Sequence, residues 1–477
     1  MTILPFHAAH TRPENKGDAP ALLTTPYLIR PNWQFEGTLS DPDDEDWVKV
    51  FLPGNSEVGV LVQFQVVGRG TSPLADAKIT LYNEQGIEIP HFFPEIDEGF
   101  DDHFLFALPE PGNVFASVES QSGATHGAYA LQVVTLGVYY EGWPGNEAYN
   151  FSPSNGIDLV RTFSGYDQIY TGNGNDIIYA GDGDDDVGTG DGNDLIFGGR
   201  GSDLVNTGND SDTVHAGAGN DKIISGKGDV VIYAGDGNDK VNTTNGKDLI
   251  FGGRGSDNLS SGNGNDTVYG GDGNDRLSNE SDGTSVHFGE RGNDTLVGGG
   301  QEGAETMYGG EGNDLLRGQG GADHLHGGAG EDTVTYHDTG AITLSLADQS
   351  LNAGAAAGNR LTSIEVIRGS GFDDGMAGNR FRNILSGNDG NDTLGGGQGF
   401  DRLTGGAGAD TFAFVAGDGI DRITDFHAAE DRLRLMAPGS VAVTQAGGAT
   451  IIDYGSGDRI ILLGVELQQA EISFEVF

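Results

Sequence analysis

Residues 189–206 read TGDGNDLIFGGRGSDLVN, one nine-residue phrase written twice. Glycine stands at the second and fourth places, Asp194 and Asp203 at the sixth, and Ile196 and Val205 at the eighth. Acid–base catalysis uses a few carboxylates in a cleft that shifts their pKa values. A carboxylate repeated at a fixed interval offers something else, a row of hard oxygen donors suited to hard cations such as calcium.

The overall charge agrees with such a row. Asp and Glu number 72 against 25 Lys and Arg, a formal net charge of −47. Nucleic acid and anionic membrane surfaces require positive charge and are excluded as partners. Acidity of the halophilic kind is scattered over a surface, whereas here it is periodic, which favours bound divalent metal. The chain has no cysteine, so thiolate sites and disulfides are absent. Its 11 histidines lack ligand spacing; His324 and His326 flank Leu325 and are expected to face outward. Neither H-E-x-x-H nor G-x-S-x-G occurs, which removes the zinc-protease and lipase arrangements and leaves only a hydrolase of unrecognised class. The opening MTILPFHAAHTRPENKGDAP lacks the basic start and apolar core of a signal peptide. No apolar run approaches the roughly 20 residues of a membrane helix.

The elements that position the carboxylates follow from the same phrase. Glycine makes up 82 of 477 residues, more than twice the average of about 7 per cent. Its nine-residue spacing excludes collagen. From Pro153 the register runs unbroken to His287, with Thr284 in the sixth place and Val286 in the eighth of the last phrase. It then slips by one residue near Phe288 and by two near Gly298. Further phrases begin at 289, 300, 309, 318 and 327, and again at 369, 378, 387, 396 and 405. The eighth place is apolar throughout; the sixth departs from Asp only at Val230, Thr284, Glu305 and Asn383. Glycines permit the positive φ of an abrupt turn. The three residues after Asp are too few for a helix and suit a short strand with its middle side chain inward. Turn and strand, repeated, predict an 18-residue coil with two parallel sheets and the eighth-place residues between them. The long run would measure roughly 36 Å at about 4.8 Å per strand.

Alternate phrases fall on the same edge of such a coil. One ladder contains Asp158, Asp176, Asp194, Asp212, Asp248 and Asp266; the other contains Asp167, Asp185, Asp203, Asp221, Asp239, Asp257 and Asp275. Bare carboxylates about 5 Å apart repel by roughly 3 kcal/mol at an effective dielectric near 20. The fold therefore calls for cations between rungs, and flexible all-oxygen ligation favours calcium over magnesium.

The phrase resembles the GGxGxDxUx nonapeptide of RTX (repeats-in-toxin) proteins, a calcium-binding β-roll that general sequence rules already describe. GGDGNDRLS from Gly270, GGEGNDLLR from Gly309 and GGAGEDTVT from Gly327 are close copies. The resemblance implies calcium held by the ladder residues above and by Asp294, Asp314, Asp323, Asp332, Asp392, Asp401 and Asp410. Val230 cannot ligate and should weaken its site unless Asp229 reaches in. Thr284 and the slip after it imply that the first run ends near 287. Residues 410–435, DTFAFVAGDGIDRITDFHAAEDRLRL, resemble the C-terminal cap of serralysin-type modules, which implies further ligands at Asp421, Asp425 and Asp431; a plain acidic hairpin is the alternative. The tail EISFEVF is similar to the uncleaved signals read by type I secretion machinery. Residues 336–368 resemble a spacer, read as a strand pair or short helix on the roll.

Residues 20–137 have ordinary glycine content and alternating strands, and resemble the pre-peptidase C-terminal (PPC) β-sandwich through G-x-L…D-x-D-W…L-Y…G-x-Y-x-L-x-V. There Asp43, Asp44 and Asp46 form either a solvated turn or one more calcium site. Residues 138–152, with YYEGWPGNEAYNF, form an aromatic linker that plugs the roll or presents rings to glycans.

The expected architecture is all-β: an N-terminal antiparallel β-sandwich, a parallel β-roll over 153–335, the spacer, a second RTX block over 369–413, and a β cap with secretion signal over 414–477. The expected function is that of a secreted, many-calcium protein exported by type I machinery without an N-terminal signal peptide. It folds outside the cell and serves a structural or adhesive, S-layer-like role through self-assembly or cell-surface glycan. A carbohydrate-binding accessory is the alternative. Ice binding, which wants regular threonine ranks, is disfavoured by Asn155, Ser164, Asn173, Asp182, Asp191 and Arg200 at the third place.

Overall fold

The computed structural model describes residues 156–279, 283–300, 303–436, 439–455 and 457–466 in full. It also describes Gly145 and, as backbone, the strands between Leu28 and Ser154 and the strand Phe474–Val476. Asp43, Asp44 and Trp143 lie outside the described residues. The chain is all-β, with a parallel β-solenoid over residues 159–436. Among the described residues the one helical element is the 3-10 turn Gln349–Leu351.

Two compact units divide the chain: residues 1–199 with 206–208, and 200–205 with 209–477. In the first, Gly59–Arg69 pairs antiparallel with Asp101–Leu108 and Ala128–Glu141, and Asp46–Leu52 and Ala77–Tyr82 both flank Gly112–Ser120. The end of Ala128–Glu141 then changes partner: Tyr139 to Glu141 run parallel to Leu159–Arg161. Ala148–Ser154 likewise runs parallel to Gln168–Gly172. Each parallel sheet of this unit thus starts on a strand that precedes the described repeats.

In the second unit the six-residue strands Thr213–Ala218, Val231–Asp236, Leu249–Arg254, Thr267–Asp272, Val286–Arg291, Thr306–Glu311 and His324–Ala329 stack in parallel as the front sheet. Shorter strands, from Lys222–Ser225 through Asn258–Ser260 to Thr333–Thr335, form the back sheet. The eighth-place side chains Val214, Ile232, Ile250, Leu259, Leu277 and Leu296 are fully buried between them. Each buried column is one residue wide, so every coil depends on its neighbours for burial.

The spacer leaves the back sheet unbroken. Ile342–Ser345 pairs antiparallel with Ala353–Gly354, after which Arg360–Thr362 continues the front sheet and Val366–Arg368 the back one. From Ile342–Ser345 a third sheet runs through Gly375–Ala377, Thr393–Gly395, Thr411–Val415 and Arg432–Met436 to Phe474–Val476. The back sheet ends at Ile420–Ile423, against which the antiparallel strands Ala442–Ala446, Ala449–Gly455 and Asp458–Leu463 close the core.

The expected register fails at one place. Val268 pairs with His287 rather than Val286, and Asp266 N–H meets Ser285 Oγ. The extra residue is therefore absorbed before Ser285, not near Phe288, and the run does not end near 287. His287 fills the eighth-place column with no exposed surface, and neither ring nitrogen has a hydrogen-bond partner. The turn tolerates an extra residue because it lies outside the sheets, whereas a slip within a strand would turn every inward side chain outward.

Positive-φ glycine is obligatory in these turns. At Gly255, φ is +126°, and an added Cβ would meet the carbonyl oxygen of Gly237 one coil away. Gly255→Ala should lower stability by at least about 1 kcal/mol, from backbone strain alone, whereas Gly340→Ala, with nothing within 4 Å, should be neutral. Denaturant unfolding in saturating calcium measures both. His287→Leu, which removes two unsatisfied ring nitrogens, should raise stability by about 1–3 kcal/mol.

Candidate metal centre

The sixth-place residues of alternate phrases do form ladders. In the first unit Asp158 N–H donates to Asp176 Oδ1 at 2.8 Å, Asp176 N–H to Asp194 Oδ1 at 2.8 Å, and Asp167 N–H to Asp185 Oδ1 at 2.9 Å. In the second, the same bond links Asp203, Asp221, Asp239, Asp257, Asp275, Asp294, Asp314 and Asp332 in series at 2.8–2.9 Å. The other edge holds Val230, Asp248 and Asp266, then Glu305 and Asp323; Asp212 is buried there too. On the third sheet the series is Asp374, Asp392, Asp410 and Asp431, and beside it Asn383, Asp401 and Asp421.

One carboxylate oxygen per rung is thereby satisfied. Oδ2 of Asp239, Asp257, Asp275, Asp294, Asp314 and Asp392 is buried without a hydrogen-bond partner. Beside the first-place glycines these atoms share a small space with backbone carbonyl oxygens. A Cβ built on Gly270 would lie 2.5 Å from Asp275 Oδ2 and 2.8 Å from the carbonyl oxygen of Gly289 in the next coil. A Cβ on Gly252 would lie 2.6 Å from Asp257 Oδ2 and against the carbonyl oxygen of Gly270. Carboxylate and carbonyl oxygens that converge with no proton between them repel, and a hard cation reverses the sign of that interaction. The donor set therefore fits calcium. Among the described residues no three acidic or histidine side chains cluster, because each position pairs carboxylates with backbone carbonyls.

Where the first place is threonine, a hydroxyl can take up the space. Thr243 Oγ1 lies 2.6 Å from Asp248 Oδ2 and 2.8 Å from the carbonyl of Ser261, and donates to one of them. Burial and neighbouring rungs leave their mark on acidity. Desolvation first, then adjacent carboxylates, raise Asp239, Asp275 and Asp392 to about 7, and Asp185, Asp294 and Asp332 to about 6. Asp421, buried beside Asp401 and Asp418, is raised to about 8.

Several sequence expectations meet specific outcomes. Asp229 lies on the exposed fifth-place column, where its Oδ1 accepts from Lys247 N–H at 2.8 Å; it does not enter the slot that Val230 fills. Asp425 lies off the ladders, its two oxygens accepting from Gly405 and Gly406 N–H. Asp431 accepts from Asp410 N–H through Oδ1 and from His427 N–H through Oδ2. His324 and His326 are half-buried on either side of buried Leu325.

Other ladder members escape a reading by phrase. Asp374 stands in the sixth place and accepts from Ile342 N–H at 2.8 Å, a role its register alone could have revealed. Ser285, Asn359 and Glu365 fill rung positions by accepting from Asp266, Asp323 and Asp332 N–H, with no motif around the last two. The fifth-place column, unremarked in the phrase, zips the opposite way: Asn220 Oδ1 accepts from Asn238 N–H at 2.7 Å, and Asn293 Oδ1 from Asn313 N–H at 2.7 Å.

Raised carboxyl pKa values set a pH dependence for the metal-free coil. A folded state whose carboxyls hold protons more tightly than the unfolded chain is favoured below about pH 4 and loses that advantage as pH rises through 6–7. In excess chelator, strand signal in circular dichroism should therefore grow as pH falls from 8 to 5. In saturating calcium it should stay nearly constant over the same range.

Residues 154–187, 188–223, 215–250, 242–277, 288–302, 300–334, 368–403 and 386–423 match the family model described as RTX calcium-binding nonapeptide repeat (4 copies). No curated protein matches the chain. Among solved structures, the pre-peptidase C-terminal domain of a collagenase from Bacillus anthracis is 17% identical. Its match covers 22% of this chain and 91% of that domain, with a TM-score of 0.18. Extracellular lipase LipA from Serratia marcescens is 19% identical over 44% of this chain and 40% of the lipase, with a TM-score of 0.17. At such scores neither likeness carries a structural argument. RTX repeats bind calcium, several ions to each run, and mark secreted calcium-binding proteins of the type I export class. Periodic aspartates, alternating edges and an inward eighth place have one common origin: this chain carries RTX hemolysin-type calcium-binding repeats, wound into a parallel β-solenoid.

Proposed function

We propose that this protein is a calcium-assembled structural or adhesive component of the cell surface or extracellular matrix, exported unfolded and folded by calcium outside. The observation that carries the reading is the row of buried, unpartnered Oδ2 atoms that share the space beside a glycine with a backbone carbonyl, as Asp275 and Gly289 do beside Gly270. Asp158, Asp167, Asp176, Asp185, Asp194, Asp203, Asp212 and Asp221 would hold calcium in the first coils. Asp239, Asp248, Asp257, Asp266, Asp275, Asp294, Asp314, Asp323 and Asp332 would continue the series, and Asp374, Asp392, Asp401, Asp410, Asp421 and Asp431 would complete it. Asp425 belongs to the cap rather than to this set, because it stands off the rung-to-rung series and bonds Gly405 and Gly406 N–H instead.

Extracellular calcium modules bind at about 10⁻⁴ to 10⁻³ M. In a cytosol poorer in calcium the ladder stays charged and the coil open, a state that suits passage through a narrow exporter. Outside, the binding free energy becomes folding free energy. The Phe474–Val476 strand pairs with Leu433 to Leu435, so the tail that would be read at export is taken into the sheet on folding.

Circular dichroism of the purified chain should gain strand signal cooperatively near millimolar calcium; a coil equally folded in excess chelator at pH 8 would overturn the reading. Val230→Asp, which restores the missing rung, should lower the calcium midpoint, and Asp221→Ala, mid-ladder, should raise it more than Asp401→Ala. Electron micrographs of the secreted protein should show ordered arrays with calcium and none after chelation. Binding to a glycan array without arrays of its own would favour the carbohydrate-accessory reading instead.

A further inference from the structure

We propose that the outer face of the front sheet in the second unit is a self-association surface that packs against the same face of a second copy of this chain. The inference deepens the assembly reading above, on which it rests, by naming the contact.

The face is built from the seventh and ninth places of the front-sheet strands. Its ninth-place rings His215, Tyr233, Phe251, Tyr269, Phe288 and Tyr308 stack one per coil, with centroids 4.7–5.0 Å apart and planes within 2–7° of parallel. His326 ends the column edge-on to Tyr308. Tyr233 is 40% exposed and its neighbours are half-buried. The seventh-place residues beside them, from Thr213 to Thr306, are threonine, valine or leucine. No Asp, Glu, Lys or Arg stands in either column, in a chain of net charge −47. The back sheet differs: Lys222, Lys240 and Arg276 stand exposed on its outer face.

Three observations select a second copy as the occupant. First, the exposed charged surface around this face is costly to bring together and to desolvate, and an uncharged face is where two copies can approach at least cost. The rim beside it carries both signs, with Arg254 paired to Asp236 at 3.4 Å and Arg291 to Asp272 at 3.3 Å, so an apposed rim meets opposite charges as well as like ones. Second, the ring faces are spent on each other. A sugar stacks on an exposed aromatic face, and here only ring edges point outward, which suits the edges and aliphatic side chains of another sheet. Third, the corrugation repeats at the strand spacing of about 4.8 Å. A second copy matches that pitch rung for rung. Seven rungs of six-residue strands give about 600 Å² per copy, or about 1,200 Å² in all, which reaches the lower end of specific interfaces.

The test uses the full chain in saturating calcium, with circular dichroism to verify that each variant folds. In sedimentation equilibrium the wild type should self-associate with a dissociation constant below about 100 µM. Phe251→Glu should weaken that association at least about tenfold, as should Tyr233→Lys, whose exposed position tolerates the change if Phe251→Glu fails to fold. Ser260→Glu on the back sheet should leave it unchanged. Because the chain has no cysteine, Thr267→Cys at the centre of the face should give a disulfide-linked dimer under mild oxidation, and Lys240→Cys should not. A monomeric wild type at about 100 µM, equal weakening by Ser260→Glu, or failure of Thr267→Cys to cross-link would each overturn the inference. Arrays that persist with Phe251→Glu would overturn this contact and leave the assembly reading standing. Cross-linked dimers without arrays would do the reverse.

Discussion

The structure depends on one interaction, the meeting of a backbone N–H with a carboxylate one coil further on. Asp257 N–H to Asp275 Oδ1, at 2.8 Å, is typical. This bond holds adjacent turns at strand spacing and satisfies a donor that no ladder hydrogen bond reaches. It also brings a second carboxylate oxygen into the protein with nothing to neutralise it. Asp239, Asp257, Asp275, Asp294 and Asp314 repeat the same imbalance in series, so the electrostatic demand grows with the length of that edge. Calcium meets that demand with charge and with a flexible all-oxygen coordination that glycine turns can supply.

Rungs vary in how they meet it. A first-place glycine leaves Oδ2 sharing space with a carbonyl, as at Gly270 and Asp275, whereas a first-place threonine such as Thr243 supplies a hydroxyl. The edge that contains Val230, Ser285, Glu305 and Asn359 is the less regular one. The opposite edge keeps aspartate from Asp203 to Asp332 without exception. Irregular rungs remain folded because the eighth-place column is independent of them: Ile232 and Met307 are fully buried beside Val230 and Glu305. Packing and ligation are thus carried by different residues of one phrase.

The two outer faces likewise divide their work. The back sheet presents lysine and arginine among polar side chains, while the front sheet presents a stacked column of rings. Both follow from the same coil, since seventh and ninth places project outward on either sheet, and their composition is unconstrained by the core. A surface free of structural duties is where a repeat protein can vary to meet partners.

Much of this was legible in the residues alone. A nine-residue period with glycine at two places and Asp at the sixth requires a turn. An apolar eighth place requires a strand with one inward side chain, and 18-residue coils with two ladders follow from geometry. What the linear order could not decide was which residue fills a slot once the period is broken. His287 enters the core and Ser285 the ladder because strand pairing fixes the register from neighbouring coils. Asn359 and Glu365 become rungs, although no phrase surrounds them, because the spacer returns the chain to both sheets. The aromatic column exists only through stacking of residues 18 to 20 apart. Periodicity is a local property that sequence displays directly. Closure of an irregular coil is decided by hydrogen bonds to coils already in place, and those belong to the tertiary structure.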